Sequence, residues 1–165
     1  MDFNIEPLTK ASQLSECASM MVTSNPWSRL CFTQEQCETS LAHPLMSVYG
    51  AVDPGGAIFA FVACVEFGIG FEPMIEYLCV GEQVRNLGMG THLITHFESN
   101  LFPDSDNLYL FVSDINPDAI RLYRRLGYDQ IGELPDFNLK GQTEFLYRKS
   151  RRPVQEGRAR VSTVV

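Results

Sequence analysis

Residues Asn116 to Tyr128 read NPDAIRLYRRLGY, and twenty-five residues before them Val80 to Thr91 read VGEQVRNLGMGT. Asn116 followed by Pro117 is a helix N-cap with a first-turn proline. Ala119, Leu122, Tyr123 and Leu126 share one face, and Gly127 ends the helix, so Tyr123 points at the body of the protein. Taken alone, Tyr123 is accounted for as a core residue with a hydrogen-bonded hydroxyl. In the earlier segment a strand ends at Val80 and the chain turns through Gly81 to Gly90 into a helix with no intervening apolar run. Such a turn gathers backbone N–H groups at a helix N-terminus, where four amides lack internal partners and the dipole is positive. A pyrophosphate fits there without a lysine, with Gly88 and Gly90 admitting its oxygens to the backbone and Asn86 tolerating a left-handed conformation.

Outward from these segments, the pattern predicts a strand over residues 3–8, a helix over 11–23, and a break around Asn25-Pro26-Trp27-Ser28. Thr33, with Gln36 three residues on, caps a second helix that runs to about Ala42. A strand over 46–52 leads into the turn Asp53-Pro54-Gly55-Gly56, and the apolar run 57–67 reads as a central strand covered on both faces. Gly68 and Gly70 reverse the chain into a strand over 73–80. A helix over 88–101 carries the stripe Met89, Leu93, Phe97 and Leu101. Strands over 108–112, 130–134 and 144–149 complete the order β-α-α-β-β-β-α-β-α-β-β, with a flexible basic tail over 150–165.

The 165 residues suit one domain, residues 1–149, with 45% hydrophobic and 20% charged residues. The net charge is −7; four arginines and one glutamate within 151–160 contribute +3, which leaves −10 for residues 1–150. That balance opposes nucleic acid as a partner and is compatible with a cationic substrate. Cys17, Cys31, Cys37, Cys64 and Cys79 form no CxxC pair and are odd in number, which suits a reducing cytoplasm. Asp2 and Glu6 stand where a signal peptide needs positive charge, and the longest apolar run is half a membrane span, so no membrane association is expected. A homodimer is compatible with the chain. His92 and His96 have metal-ligand spacing, but Leu93 stands where HExxH has glutamate, so no metal is expected. A Rossmann turn would need a third glycine and a P-loop would need GK[ST]; neither is present.

Together the two segments resemble the GNAT superfamily of acyl-coenzyme A dependent N-acetyltransferases. Arg85-Asn86-Leu87-Gly88-Met89-Gly90 is similar to its [Q/R]xxGx[G/A] turn, although Asn86 replaces the usual glycine, and Asn116 to Tyr128 is similar to NxxAxxLYxxxGF. The resemblance implies an α+β fold: a mixed, mostly antiparallel sheet of about seven strands flanked by about four helices. It implies acetyl-CoA as co-substrate, with Leu78, Cys79 and Val80 beside the pantetheine arm. It further implies that the amides of Arg85, Asn86, Leu87, Gly88, Met89, Gly90 and Thr91 hold the pyrophosphate, with Asn116 near the cofactor. Tyr123 matches the tyrosine that protonates the departing thiolate.

An amine acceptor must lose a proton before it attacks, because an alkylammonium has a pKa near ~10. Glu76 is the first candidate base and Glu72 the second, since strand alternation puts both on one face. Trp27, Asp136 and Phe137 lie in two loops and suit an apolar or cationic ligand. The expected activity is acetyl transfer to the primary amine of an amino acid, polyamine or amine antibiotic. The alternatives are acetylation of a protein N-terminus, as in ribosomal-protein-alanine enzymes, and a non-catalytic acyl-CoA binding module. Pro26-Trp27-Ser28 favours the protein N-terminus, while Phe111, where those enzymes tend to carry a glutamate, opposes it.

Overall fold

The structure is a computed structural model and describes residues 2–153. Its elements follow the expected order: β1 (Asn4–Pro7), α1 (Ala11–Val22), α2 (Gln34–Leu41), β2 (Met46–Val52), β3 (Ile58–Val65), β4 (Met74–Val80), α3 (Met89–His96), β5 (Asn107–Ser113), α4 (Pro117–Arg125), β6 (Asp129–Pro135) and β7 (Thr143–Ser150). The strands form one seven-stranded sheet in the order β1-β2-β3-β4-β5-β7-β6. Every pairing is antiparallel except β4 with β5. Among the described residues the architecture is therefore a mixed, mostly antiparallel sheet with four α-helices.

Alternation along β3 shows how the core divides. Ala60, Val62 and Cys64 face a cluster with Met89, Leu93 and Phe97 of α3 and Tyr123 of α4, whereas Phe61 and Ala63 face a cluster with Cys17 and Met21 of α1 and Cys37 and Leu41 of α2. Helices thus cover both faces, and the near-continuous apolar run of β3 follows from that burial. Thr33 caps α2 reciprocally: its hydroxyl accepts from the Gln36 amide at 3.2 Å, and Gln36 Oε1 accepts from the Thr33 amide at 2.9 Å.

The helix expected over 88–101 is α-helical only to His96 and continues as a π turn over Phe97–Leu101. Ser99 and Asn100, whose side chains compete for backbone bonds, fall in that wider turn. Met89, Leu93 and Phe97 are nonetheless buried as the stripe requires. His92 packs edge-on to Phe3 with ring centroids 5.8 Å apart, and His96 lies 5.8 Å from Tyr49. The two imidazoles, one helical turn apart, both serve aromatic packing.

Of the tail expected over 150–165, Ser150 ends β7, and Arg151 and Arg152 are tied to the body. Arg151 donates to the carbonyls of Glu98 at 2.6 Å and Phe102 at 2.8 Å, and Arg152 pairs with the buried Asp106. Residues 154–165 lie outside the described residues.

Candidate active site

The parallel pairing of β4 with β5 is short: Met74 opposes Tyr109 and Ile75 opposes Leu110, and there the ladder stops. Its end coincides with a bulge. Along the β3–β4 ladder Ile75 pairs with Cys64 and Tyr77 with Ala63, so Glu76 has no partner. A bulged residue bends its strand and re-aims its side chain. The bulge also breaks the alternation: Ile75, Leu78 and Val80 face the α3/α4 cluster, while Tyr77 and Cys79 face the α1/α2 cluster. Beyond Ile75 the edge of β4 therefore runs without a strand beside it, and a V-shaped opening separates it from β5.

A cavity of about 190 Å³ fills this opening. Glu76, Tyr77 and Leu78 of β4 line one wall and Phe111, Val112 and Ser113 of β5 the other, with Asn116 and Tyr123 from α4, Trp27 from the loop after α1, Phe137 and Asn138 from the β6–β7 loop, and Glu144 from β7. Phe111 and Phe137 stack at 5.8 Å, joining β5 to that loop. Glu76, Leu78, Asn116, Tyr123, Trp27 and Phe137, all expected site residues, thus meet at one place.

Glu76 remains open to solvent at the mouth, yet the surrounding walls strip away enough water to push its pKa above the ordinary carboxylate value. Tyr123 is 5% exposed and stands edge-to-face with Tyr128 at 5.9 Å. Burial pushes its hydroxyl pKa up, so it keeps its proton at neutral pH. Asn116 Oδ1 accepts from the Ala119 amide at 3.2 Å, so the residue caps α4 as well as lining the cavity.

Of the catalytic and acceptor candidates two, Glu72 and Asp136, sit outside the cavity lining, and Cys79, expected beside the pantetheine arm by its strand backbone, buries its side chain. Glu72 does not share a strand face with Glu76, because it precedes β4 and the bulge intervenes; its Oε2 accepts from the Asn107 amide at 3.4 Å. Asp136 closes the β6–β7 loop, accepting from the Gly141 amide at 2.5 Å, with its own φ at 56°. The Cys79 side chain turns away from the opening and is 2% exposed. Burial holds its thiol pKa up at about 12, which removes it as a nucleophile.

The turn between β4 and α3 has its own division of labour. Arg85 Nε donates to the Val80 carbonyl at 3.2 Å and Nη2 to Ser24 Oγ at 3.2 Å, so the guanidinium braces the end of β4 against the α1 side. The Arg85 amide donates to the Glu82 carbonyl at 3.4 Å, and the first α3 bond returns from the His92 amide to the Gly88 carbonyl at 3.1 Å. Asn86 adopts φ 62° and Gly88 φ 84°. Gly90 has a packing role: a Cβ there would meet Leu122 Cδ2 at 3.1 Å, so its absence lets α3 approach α4.

At Gly88 a Cβ would find nothing nearer than 3.9 Å, so only the left-handed backbone resists substitution. Gly88→Val is expected to cost about 1–2 kcal/mol, whereas Gly88→Asn recovers most of that because asparagine tolerates the region. Thermal unfolding of the two variants checks this; equal losses would show that the turn is held by something other than its φ.

Glu144, Ser113 and Tyr77 line the cavity without having been expected from the sequence. Glu144 reads as an ordinary strand glutamate, and only its register opposite Ser113 brings it to the opening. Its pKa is pushed up by burial, against the opposing influence of Asn138 and Ser113.

Solved structures share this fold at low sequence identity. The chain is similar to the ribosomal-protein-S18-alanine N-acetyltransferase from Escherichia coli, with TM-score 0.74, 15% identity, and coverage of 92% of this chain and 96% of that one. It is similar to an aminoglycoside 6'-N-acetyltransferase complexed with coenzyme A, with TM-score 0.72, 15% identity, and 91% and 98% covered. A third is Arabidopsis thaliana NAA60 in complex with acetyl-CoA, with TM-score 0.70, 19% identity, and 91% and 99% covered. No curated protein sequence matches the chain. The model of the acetyltransferase (GNAT) family matches residues 12–128, well over half of the sequence and both of the segments on which the site is built. The chain belongs to the acetyltransferase (GNAT) family.

Proposed function

We propose that the protein moves an acetyl group from acetyl-CoA to the primary amine of a small molecule, by direct attack within a ternary complex. The observation that carries this is the convergence, on one opening between β4 and β5, of a bulged, solvent-reachable glutamate and a buried, protonated tyrosine. Acetyl-CoA supplies an acetyl thioester. The unpaired edge of β4 over Leu78 to Val80 suits a pantetheine arm running as a surrogate strand, and the amides from Asn86 to Thr91 at the start of α3 suit a pyrophosphate.

In this reading Glu76 takes a proton from the acceptor ammonium. The freed amine nitrogen bonds to the carbonyl carbon as the carbon–sulfur bond breaks, and a backbone N–H near Val80 stabilises the oxyanion. Tyr123 gives its proton to the leaving sulfur. As the adduct collapses the nitrogen gives up its second proton, which restores the Tyr123 hydroxyl, and Glu76 returns the first to solvent, so ammonium and thioester become amide and thiol with one proton released. With Cys79 buried and neutral, no covalent enzyme intermediate is needed.

The size of the cavity and the ring pair Phe111–Phe137 across its acceptor side favour a small amine, such as an amino acid, polyamine or amine antibiotic. A protein N-terminus is the second reading, favoured by Pro26 and Trp27 in the lining. Thiol release from acetyl-CoA across a panel of amines and peptides, with calorimetric binding of the cofactor beside it, tests both. Turnover on amines is expected; turnover confined to peptides would transfer the assignment, and tight binding without turnover on any acceptor would make the protein a cofactor-binding module.

A further inference from the structure

One wall of the cavity takes no part in that mechanism. Glu144 is 5% exposed, stands opposite Ser113 in the β5–β7 register, and lines the cavity together with it. Glu144 Oε1 and Ser113 Oγ are both buried and neither finds a partner within ordinary hydrogen-bond limits, although Ser113 and Asn138 stand close enough to the carboxylate to favour its charged form. Leaving a buried acceptor unmatched is unfavourable, and a donor carried in by a ligand would remove that penalty.

The rest of the lining identifies that donor. It contains two carboxylates, Glu76 and Glu144, and no lysine or arginine. The rings of Trp27, Phe32, Tyr77, Phe111 and Phe137 supply its apolar and aromatic surface, which tolerates a methylene chain and attracts a cation. Glu76 belongs to β4 and Glu144 to β7, with β5 between them, so their backbones are separated by at least two strand spacings, on the order of 10 Å. Side chains reaching inward from those positions leave a gap suited to a short aliphatic spacer.

We propose that Glu144, assisted by Ser113, is a second cation-binding point that selects acceptors with two ammonium groups: one offered to Glu76 for acetylation, the other held by Glu144. The identity of the reacting end rests on the acetyltransferase reading; the binding of the second ammonium does not.

The test pairs n-alkylamines with α,ω-diaminoalkanes of the same length, from three to five carbons, titrated calorimetrically into the full chain saturated with coenzyme A. Thiol release from acetyl-CoA is measured on the same compounds. At one length or more the diamine is expected to bind about tenfold tighter than its monoamine, and Glu144→Gln to bring that ratio within about twofold of one. A wild-type ratio near one at every length overturns the proposal without need of any variant. So does a diamine preference that persists in a folded Glu144→Gln protein. A diamine preference lost in the variant, with no thiol released by the wild type, upholds Glu144 and sinks acetyl transfer; monoamine turnover without diamine preference does the reverse.

Discussion

Tyr123→Phe is expected to lower kcat by about a hundredfold while leaving the Kd of coenzyme A within about twofold, the range that loss of a positioned proton donor produces. The ring is already committed to the core: it is buried, belongs to the α3/α4 cluster and meets Tyr128 edge-on. Phenylalanine keeps that packing, so the substitution removes the hydroxyl and little else. Because burial pushes the hydroxyl pKa up, Tyr123 keeps its proton across the working range, and its loss should not reshape the pH profile. Single-turnover kinetics with a calorimetric Kd make the measurement. An active wild type whose Tyr123→Phe variant keeps full kcat would leave Tyr123 as packing alone.

The second large effect is expected at Glu76. Desolvation raises its pKa above that of an ordinary carboxylate, and a base works only when ionised, so kcat should climb as pH rises through that pKa and then level off. Glu76→Gln should lower kcat by about 10²–10³ near neutral pH. Its remaining rate should follow the free-amine fraction of the acceptor, rising with pH toward ~10. A Glu76→Gln profile that keeps the wild-type lower limb would assign the base elsewhere. Glu72→Gln is the control, since Glu72 lies outside the cavity lining and bonds the Asn107 amide.

The contrast between these two glutamates marks what the sequence could convey. Strand alternation placed Glu72 and Glu76 on one face, and alternation holds only while the ladder is regular. One unpaired residue opposite Ala63 and Cys64 shifts it, and nothing local in Pro73 to Val80 announces the shift. Asp136 misleads for a related reason: a loop carboxylate can serve a ligand or its own backbone, and here it closes the loop around Gly141. Gly90 differs again, since its role depends on Leu122, thirty-two residues away.

What the sequence determined by itself was the order of elements and the two segments, turn and helix, on which the proposed donor site rests. Those depend on short-range patterns: apolar periodicity, the caps at Thr33 and Asn116, the left-handed tolerance of Asn86, the glycines Gly88 and Gly90, and the turn running straight into α3. Only the tertiary structure decided the cavity. The opening between β4 and β5, the bulge that aims Glu76 into it, and the placing of Glu144 beside Ser113 all arise from register between strands distant in sequence. Register is set by the packing of the whole sheet against both helical layers, and no segment carries that information alone.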